Sequence, residues 1–557
     1  MSRNMIVVMS IIAVLMIIAA FLMSENDDNG EEVNEPPNND ETDTDEEMQE
    51  TVEFDGDYGV STSNDEAQEV GLDVLEEGGN AVDAAIAVSF ALGVAEPYGS
   101  GIGGGGAMLV LEDPEDAPDY YDYRETSPAD GRENEAAVPG YLKGMAHIHE
   151  EHGALEMEEL IEPAIELANG FEVDAMLANR LEYAGSIEES QDGRIDPEAA
   201  EEFYPDGMAI QEGQELVQPR LAETLTHLQE HGLEDFYTGE LASEVAGDRS
   251  SITEEDLANY EVEKDEPASG TFNGNRVYSS GPPTSGVTFI QMLQMAEELQ
   301  LNDLEDDGAP FAHLFAEITG QAYSDRLSNI GDPNFSTDMN VDMLTSEEYT
   351  QEMASEVDTD PISSEEEEQV AAPEIDDDGN TTHFVVVDED GNMVSATNTL
   401  SNFFGSGKMT DLGFFLNDQM SNFAPEDLPP NDYDSGKRAR SFIAPSIFIN
   451  DEEGVVAGMG SPGGNRIPQI MSQVLINNER LDGDLEEAMN VPRFVYDHQE
   501  DQILYEDEWE DVERLEELMD MGYYAEERVT TVFFGGIQML EVDYEEETVE
   551  DIPDERR

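Results

Sequence analysis

Two threonines and a histidine, Thr381, Thr382 and His383, follow the polar run DDDGN and open the apolar stretch FVVV. A threonine hydroxyl is a poor nucleophile unless a base stands beside it. One source of that base is the threonine's own α-amine, which titrates at about 7.7–8.0 when the residue begins a chain. Thr381 is internal, so this chemistry requires a cut between Asn380 and Thr381. The competing reading stays open on spacing alone, because threonine favours strands and a Thr-Thr pair at a strand start needs no chemistry.

The elements around this point can aim a side chain. HFVVVDEDGNMVSATN alternates about Asp390-Gly391 and predicts a hairpin, while RSFIAPSIFIND and GVVAGMG read as further strands. Asp65 to Glu77 and Ala81 to Val94 have helical apolar spacing around Gly78-Gly79-Asn80, and GAMLVLED then reads as a buried strand. Helical patterns dominate Leu142 to Leu304, with a β-like island at TFNGNRVYSSG, and LEEAMNVP and DVERLEELMDMG read as later helices. Helices, strands, more strands and more helices predict a layered α/β sandwich. Glu25 to Gln49 is nearly free of apolar residues and reads as a disordered acidic tether. DTDPISSEEEEQVAAPEIDDDGN reads as an exposed, mobile connector directly before Thr381.

Composition narrows the possibilities. The chain of 557 residues carries 133 Asp+Glu against 22 Lys+Arg, a formal charge of -111 spread along its length. Such a surface repels itself over roughly 10 Å at ordinary ionic strength and over about 3 Å in molar salt, so a salt-adapted protein is expected. The same field excludes nucleic acid as a partner. With no cysteine, disulfides, thiolate metal sites and cysteine nucleophiles are also excluded. Arg3 precedes an apolar run from Met5 to Met23, about long enough to cross a hydrocarbon core, which predicts an export signal or uncleaved anchor over 1–24 and an extracellular or cell-surface location.

Three other motifs carry little. GSGIGG, Gly99 to Gly104, has the spacing of a dinucleotide fingerprint but precedes the strand instead of following it. FGSGKM around Lys408 lacks the earlier glycine and the following Ser or Thr of a phosphate loop. His147, His149 and His152 contain no pair four apart, so they read as surface histidines and no metal site is assigned.

From about Val60 to Ile537 the chain resembles the gamma-glutamyltranspeptidase family. The carriers, in the family's order, are GGNAVDAAIA, EPYGSGIGGGG, YDYRETSPAD, VPGYLKG, GPPTSG, TTHFVVVDEDGNMVSATNTL, FGSG, LNDQMSNF and GSPGGNRI. The resemblance implies a four-layer αββα sandwich of the N-terminal-nucleophile hydrolase type. It also implies self-cleavage between Asn380 and Thr381 into a large subunit, 52–380, and a small one, 381–557, that stay associated as a heterodimer. The implied activity is that of a γ-glutamyltransferase or glutathione hydrolase, acting on a small-molecule or peptide γ-glutamyl substrate without a cofactor.

By the same resemblance Thr381 is the nucleophile, Thr399 orients it, Gly463 and Gly464 form the oxyanion hole, and Arg124 grips the substrate α-carboxylate. Gln419 is retained among the substrate-binding positions, and three neighbouring positions differ. Asn422 stands where the family has an acidic residue for the substrate amino group, and Ser401 where it has Asn or Glu. In KRARSFIAP, against the family's Pro-Leu-Ser-Ser, Ser441 is kept and the second serine is Phe442. APEDLPPNDYDSG is short where some relatives carry a lid. These departures leave an amidase or acylase on poly-γ-glutamate or another amide as the alternative, and a non-catalytic surface protein as a third reading.

Overall fold

Strands alternate their side chains between two faces, and in this protein both faces of each main sheet are covered. In the computed structural model the described residues are 56–556, apart from 130, 132–135, 187–194, 196–199, 248–251, 305–307, 337, 360–380, 425–427, 482, 499, 510 and 529. The expected export segment, the tether, most of the acidic connector and Asn380 lie outside the described residues.

The two main sheets are built from β1 (Gly59–Thr62), β2 (Gly105–Leu111), β3 (Asp119–Asp122), β4 (Glu263–Asp265), β5 (Ala268–Phe272), β6 (Asn275–Ser279), β7 (Thr381–Val387), β8 (Met393–Thr399), β9 (Ser446–Asn450), β10 (Val455–Gly460), β11 (Gln538–Asp543) and β12 (Thr548–Asp551). The first sheet runs β1-β7-β8-β2-β3-β4 and the second β12-β11-β10-β9-β6-β5, antiparallel throughout. A smaller sheet of Phe494–Asp497, Gln502–Tyr505 and Tyr524–Glu527 stands apart from both.

Three apolar cores separate four layers. Phe384, Val386, Val394 and Ala396 pack with the Ala81–Ala95 helix and its neighbours on one side of the first sheet. Val385, Val387 and Met393 turn the other way and meet Ile447, Ile449, Val456 and Leu540 between the sheets. Beyond the second sheet, Ala457 and Met459 pack with the helices Gly286–Glu298, Ala309–Asn329 and Ile467–Arg480. The result is the expected αββα sandwich.

Two local devices fix the hairpin that Thr381 heads. Asn80 caps the Ala81–Ala95 helix in a reciprocal capping box with Asp83. Asp388 then ties the turn of the hairpin to the same helix. Its Oδ1 accepts from the N–H groups of Asp390 and Asn392, and its Oδ2 from the first helical N–H, Ala81, at 2.8 Å. Most of the elements expected from sequence are present. The strands β1, β3, β4, β11 and β12 and the smaller sheet escaped notice because they are short, or carry charge at alternate positions that hides an apolar face.

Candidate active site

Thr381 begins β7 opposite Thr399, the last residue of β8. Their hydroxyl oxygens lie 3.3 Å apart, and both residues are almost completely buried. The Thr399 hydroxyl also accepts from the Ser401 N–H at 2.9 Å. Ser401 in turn accepts from Asn422 Nδ2 at 2.9 Å, and the same amide reaches Gln419 Oε1 at 3.3 Å. Asn422 is exposed, so the chain Thr381–Thr399–Ser401–Asn422 runs from a buried floor to an open rim. Ser401 holds φ 75, a left-handed conformation that asparagine tolerates better than serine.

The glycine-rich stretch Gly99–Gly106 presses on this floor. A Cβ on Gly99 would lie 3.1 Å from Thr382 Oγ1, and one on Gly104 only 2.3 Å from the Thr399 carbonyl oxygen. Its glycines therefore serve close backbone approach to the threonine pair, the role that sequence reading missed when the motif was set aside. The signal was present in the density of glycine and absent from its spacing.

Alternation along β7 sends Thr381, His383 and Val385 toward the second sheet. There β10 offers two glycines in matching positions: a Cβ on Gly458 would lie 2.6 Å from Val385, and one on Gly460 2.3–2.6 Å from three ring atoms of His383. The strand ends at Gly460, and the Ser461–Gly464 loop follows it directly. Gly463 and Gly464 have φ 140 and 56; Gly463 caps and Gly464 opens a single 3-10 turn, Gly464–Arg466, that leads into the Ile467–Arg480 helix. Backbone N–H groups there have no intrahelical acceptor and carry the positive end of the helix dipole, which suits a developing oxyanion.

His383 is not a general base. Burial pushes its pKa down to about 3, and its Nδ1 is 2.8 Å from the Thr397 hydroxyl. It is a neutral spacer between the sheets.

Arg124 is also committed. It is fully buried, pairs with Asp122 through Nε and Nη2, and donates from Nη1 to the Ala439 carbonyl at 2.9 Å. Burial alone would raise the Asp122 pKa, but Arg124 and Arg438 outweigh it and hold the carboxyl below its usual value. Ser441, two residues beyond Ala439, is nearly buried, and its carbonyl accepts from Arg326 Nη2 at 2.5 Å. Phe442 lies under the Arg326 guanidinium at 4.5 Å and beside Tyr323, whose hydroxyl donates to the carbonyl of Asn465. Thus Phe442 reaches the glycine-pair loop through one intervening ring.

Two of the three histidines set aside as surface residues need correction, while His147, with its side chain 38% exposed, lies at the surface as expected. His149 reaches the Leu155 carbonyl at 2.7 Å, and the His152 ring, whose side chain is 9% exposed, lies 2.6 Å from the Tyr121 hydroxyl and 2.9 Å from Glu112. Helical spacing turns His149 toward the chain that follows the helix and His152 against β3. Asp119, Glu151 and His152 have the mutual spacing of metal ligands, but the Lys264 ammonium lies 2.8 Å from Asp119 and 2.7 Å from Glu151 and already pairs with both carboxylates.

Two facing antiparallel sheets between helical layers, with a threonine heading an inner strand, define the class: the protein is an N-terminal-nucleophile hydrolase. The sequence model described as Gamma-glutamyltranspeptidase matches residues 67–557, and the chain belongs to that family of enzymes. It is 40% identical to the capsule biosynthesis protein CapD proenzyme of Bacillus anthracis over 90% of each chain. It is 32% identical to the glutathione hydrolase proenzyme of Bacillus subtilis over 92% of each. Among solved structures it resembles cephalosporin acylase from Bacillus halodurans, with TM-score 0.78 and 25% identity over 93% of this chain and 97% of that one.

Proposed function

We propose that the protein cleaves γ-glutamyl amide bonds through an ester on Thr381 and passes the acyl group to water or to an amine. The observation that carries this reading is the Thr381–Thr399 hydroxyl pair, 3.3 Å apart at the head of an inner strand. In the precursor the Thr381 hydroxyl attacks the carbonyl carbon of Asn380. The peptide nitrogen leaves as the α-amine of Thr381, and water hydrolyses the resulting ester.

In the mature enzyme that amine takes the hydroxyl proton as the oxygen attacks the γ-carbonyl. The N–H groups of Gly463 and Gly464 receive the oxyanion, a role in which losing one donor typically costs about 3 kcal/mol of transition-state stabilisation. The protonated amine then gives its proton to the departing nitrogen, leaving the acyl-enzyme. Thr399 holds the nucleophilic oxygen on its trajectory. Asn422, Ser401 and Gln419 meet the amino end of the substrate, and Arg124 with Ser441 supports its carboxylate end. The names of the relatives, proenzymes that include a glutathione hydrolase, support the same reading.

The test uses full-length protein expressed in molar salt. Wild type is expected to run as two bands on a denaturing gel and to release p-nitroaniline from γ-glutamyl-p-nitroanilide, while Thr381→Ala stays uncut and inactive. A processed wild-type enzyme inert on this substrate would overturn γ-glutamyl specificity and favour another amide. A folded, uncut wild type would overturn catalysis by Thr381.

A further inference from the structure

Two histidines away from the threonine pair stand at a spacing that chelates metals. His227 and His231 lie four residues apart on the Pro219–His231 helix, and their ring centroids are 4.4 Å apart. Residues so spaced share one face of a helix, and two imidazoles in that relation form the ligand pair of helical zinc sites. His227 is partly exposed and His231 exposed, so an ion can reach the rings from solvent. A histidine in the last turn of a helix also suits the helix dipole. That accounts for His231 alone and leaves the seating of His227 unexplained.

A carboxylate is locked behind the His227 ring. Asp235 Oδ2 lies 2.9 Å from His227 Nε2. Asp235 is itself held at the start of the Glu240–Gly247 helix, where its Oδ1 accepts from the Glu240 N–H at 3.2 Å and its Oδ2 from the Leu241 N–H at 3.1 Å. Gly239 makes the room, since a Cβ there would run into Asp235 Oδ1. Burial alone would raise the Asp235 pKa, but these N–H groups and His227 outweigh it and hold the carboxyl below its usual value.

A carboxylate can only accept, so Nε2 of His227 carries the hydrogen, and the neutral ring keeps its lone pair on Nδ1. Histidines that ligate metals ordinarily have this arrangement. One ring nitrogen goes to the metal, and the other donates to a carboxylate that fixes the tautomer and raises the basicity of the ligand.

We propose that His227 and His231 bind one divalent transition-metal ion of the zinc, nickel or copper kind, with Asp235 as the outer partner of His227 and water completing the coordination. Imidazole favours these ions, whereas magnesium and calcium favour oxygen. Hard cations therefore compete for the many carboxylates of this chain and leave the imidazole pair to softer ones. The ion would sit at a junction. Thr224, three residues before His227, donates its hydroxyl to the Leu412 carbonyl at 2.7 Å, and Phe236, next to Asp235, packs on Phe414 with ring centroids 5.9 Å apart. The helix end and the segment after it thus hold one loop between them, and a bound ion would steady the seat of that loop. This site is independent of the γ-glutamyl reading.

Calorimetric titration of untagged, full-length protein with nickel(II) and zinc(II) in molar sodium chloride tests this, for wild type, His227→Gln, His231→Gln and Asp235→Asn. Wild type is expected to bind one equivalent that excess magnesium does not displace. Either histidine variant should weaken that binding at least about tenfold, and Asp235→Asn by about tenfold, the usual cost of removing such an outer partner. The ion should also raise the unfolding midpoint of wild type and leave those of the histidine variants where they are. No such equivalent in wild type, its displacement by magnesium, or wild-type affinity in either histidine variant would overturn the proposal. Unchanged affinity in Asp235→Asn would overturn the role given to that carboxylate. His231→Gln, a change at an exposed position, decides if another variant does not fold.

Discussion

Glu125 is a fully buried carboxyl whose two oxygens find no hydrogen-bond partner among the described residues, although it follows Arg124 directly. Burial pushes its pKa up from 4.5 to about 7. Between these values the folded protein holds a proton that the unfolded chain has released, so stability contributed by this group falls as pH rises through that window. Glu125→Gln should therefore leave the unfolding free energy near pH 4.5 almost unchanged and raise it at pH 8, by about 3 kcal/mol at most. Denaturant unfolding at the two pH values checks this, and an equal change at both would refute it. Nothing in YDYRETSP announced the cost, because sequence does not show which side of a strand end is sealed. Thr381, Thr399 and the glycine pair were singled out through the family resemblance, and of these the structure brings the two threonine hydroxyls within 3.3 Å.

At the scale of elements, the packing of β7 on β10 is set by an imidazole seated over a glycine. A methyl group at Gly460 would meet three atoms of the His383 ring at 2.3–2.6 Å. Overpacking of this kind typically costs about 1–3 kcal/mol. Gly460→Ala should thus destabilise the protein and lower kcat, because it moves the glycine-pair loop relative to Thr381. His383→Ala should cost stability through the cavity and the lost Thr397 contact. The double variant should recover part of both losses, with a coupling of at least about 1 kcal/mol. Strictly additive changes in unfolding free energy would show that the two residues do not bear on each other. Hairpin, helices and buried strands were readable from periodicity and turn residues. Which strand faces which across the sandwich was not, because that register is written in pairs of residues distant in the chain.

For the whole molecule, a charge of -111 makes solvent ions part of the structural argument. Dilution from molar salt to about 0.01 M lengthens the screening distance from about 3 Å to about 30 Å. Mutual repulsion should then unfold the protein. The single tryptophan, Trp509, is buried against Phe494 and Tyr505, so its fluorescence should shift to the red as activity is lost. Unchanged emission and activity after desalting would disprove salt dependence. The order of strands bears on the proposed cleavage at Thr381 in another way. β1 pairs with β7, β2 with β8 and β6 with β9, so three ladders cross the boundary at Thr381 and both sheets draw strands from either side of it. Breaking the bond before Thr381 would therefore be a nick in an interwoven fabric, with no seam along which the halves can part. Neither fragment made alone would hold either main sheet complete, which would make the uncut chain the template on which both acquire their shape.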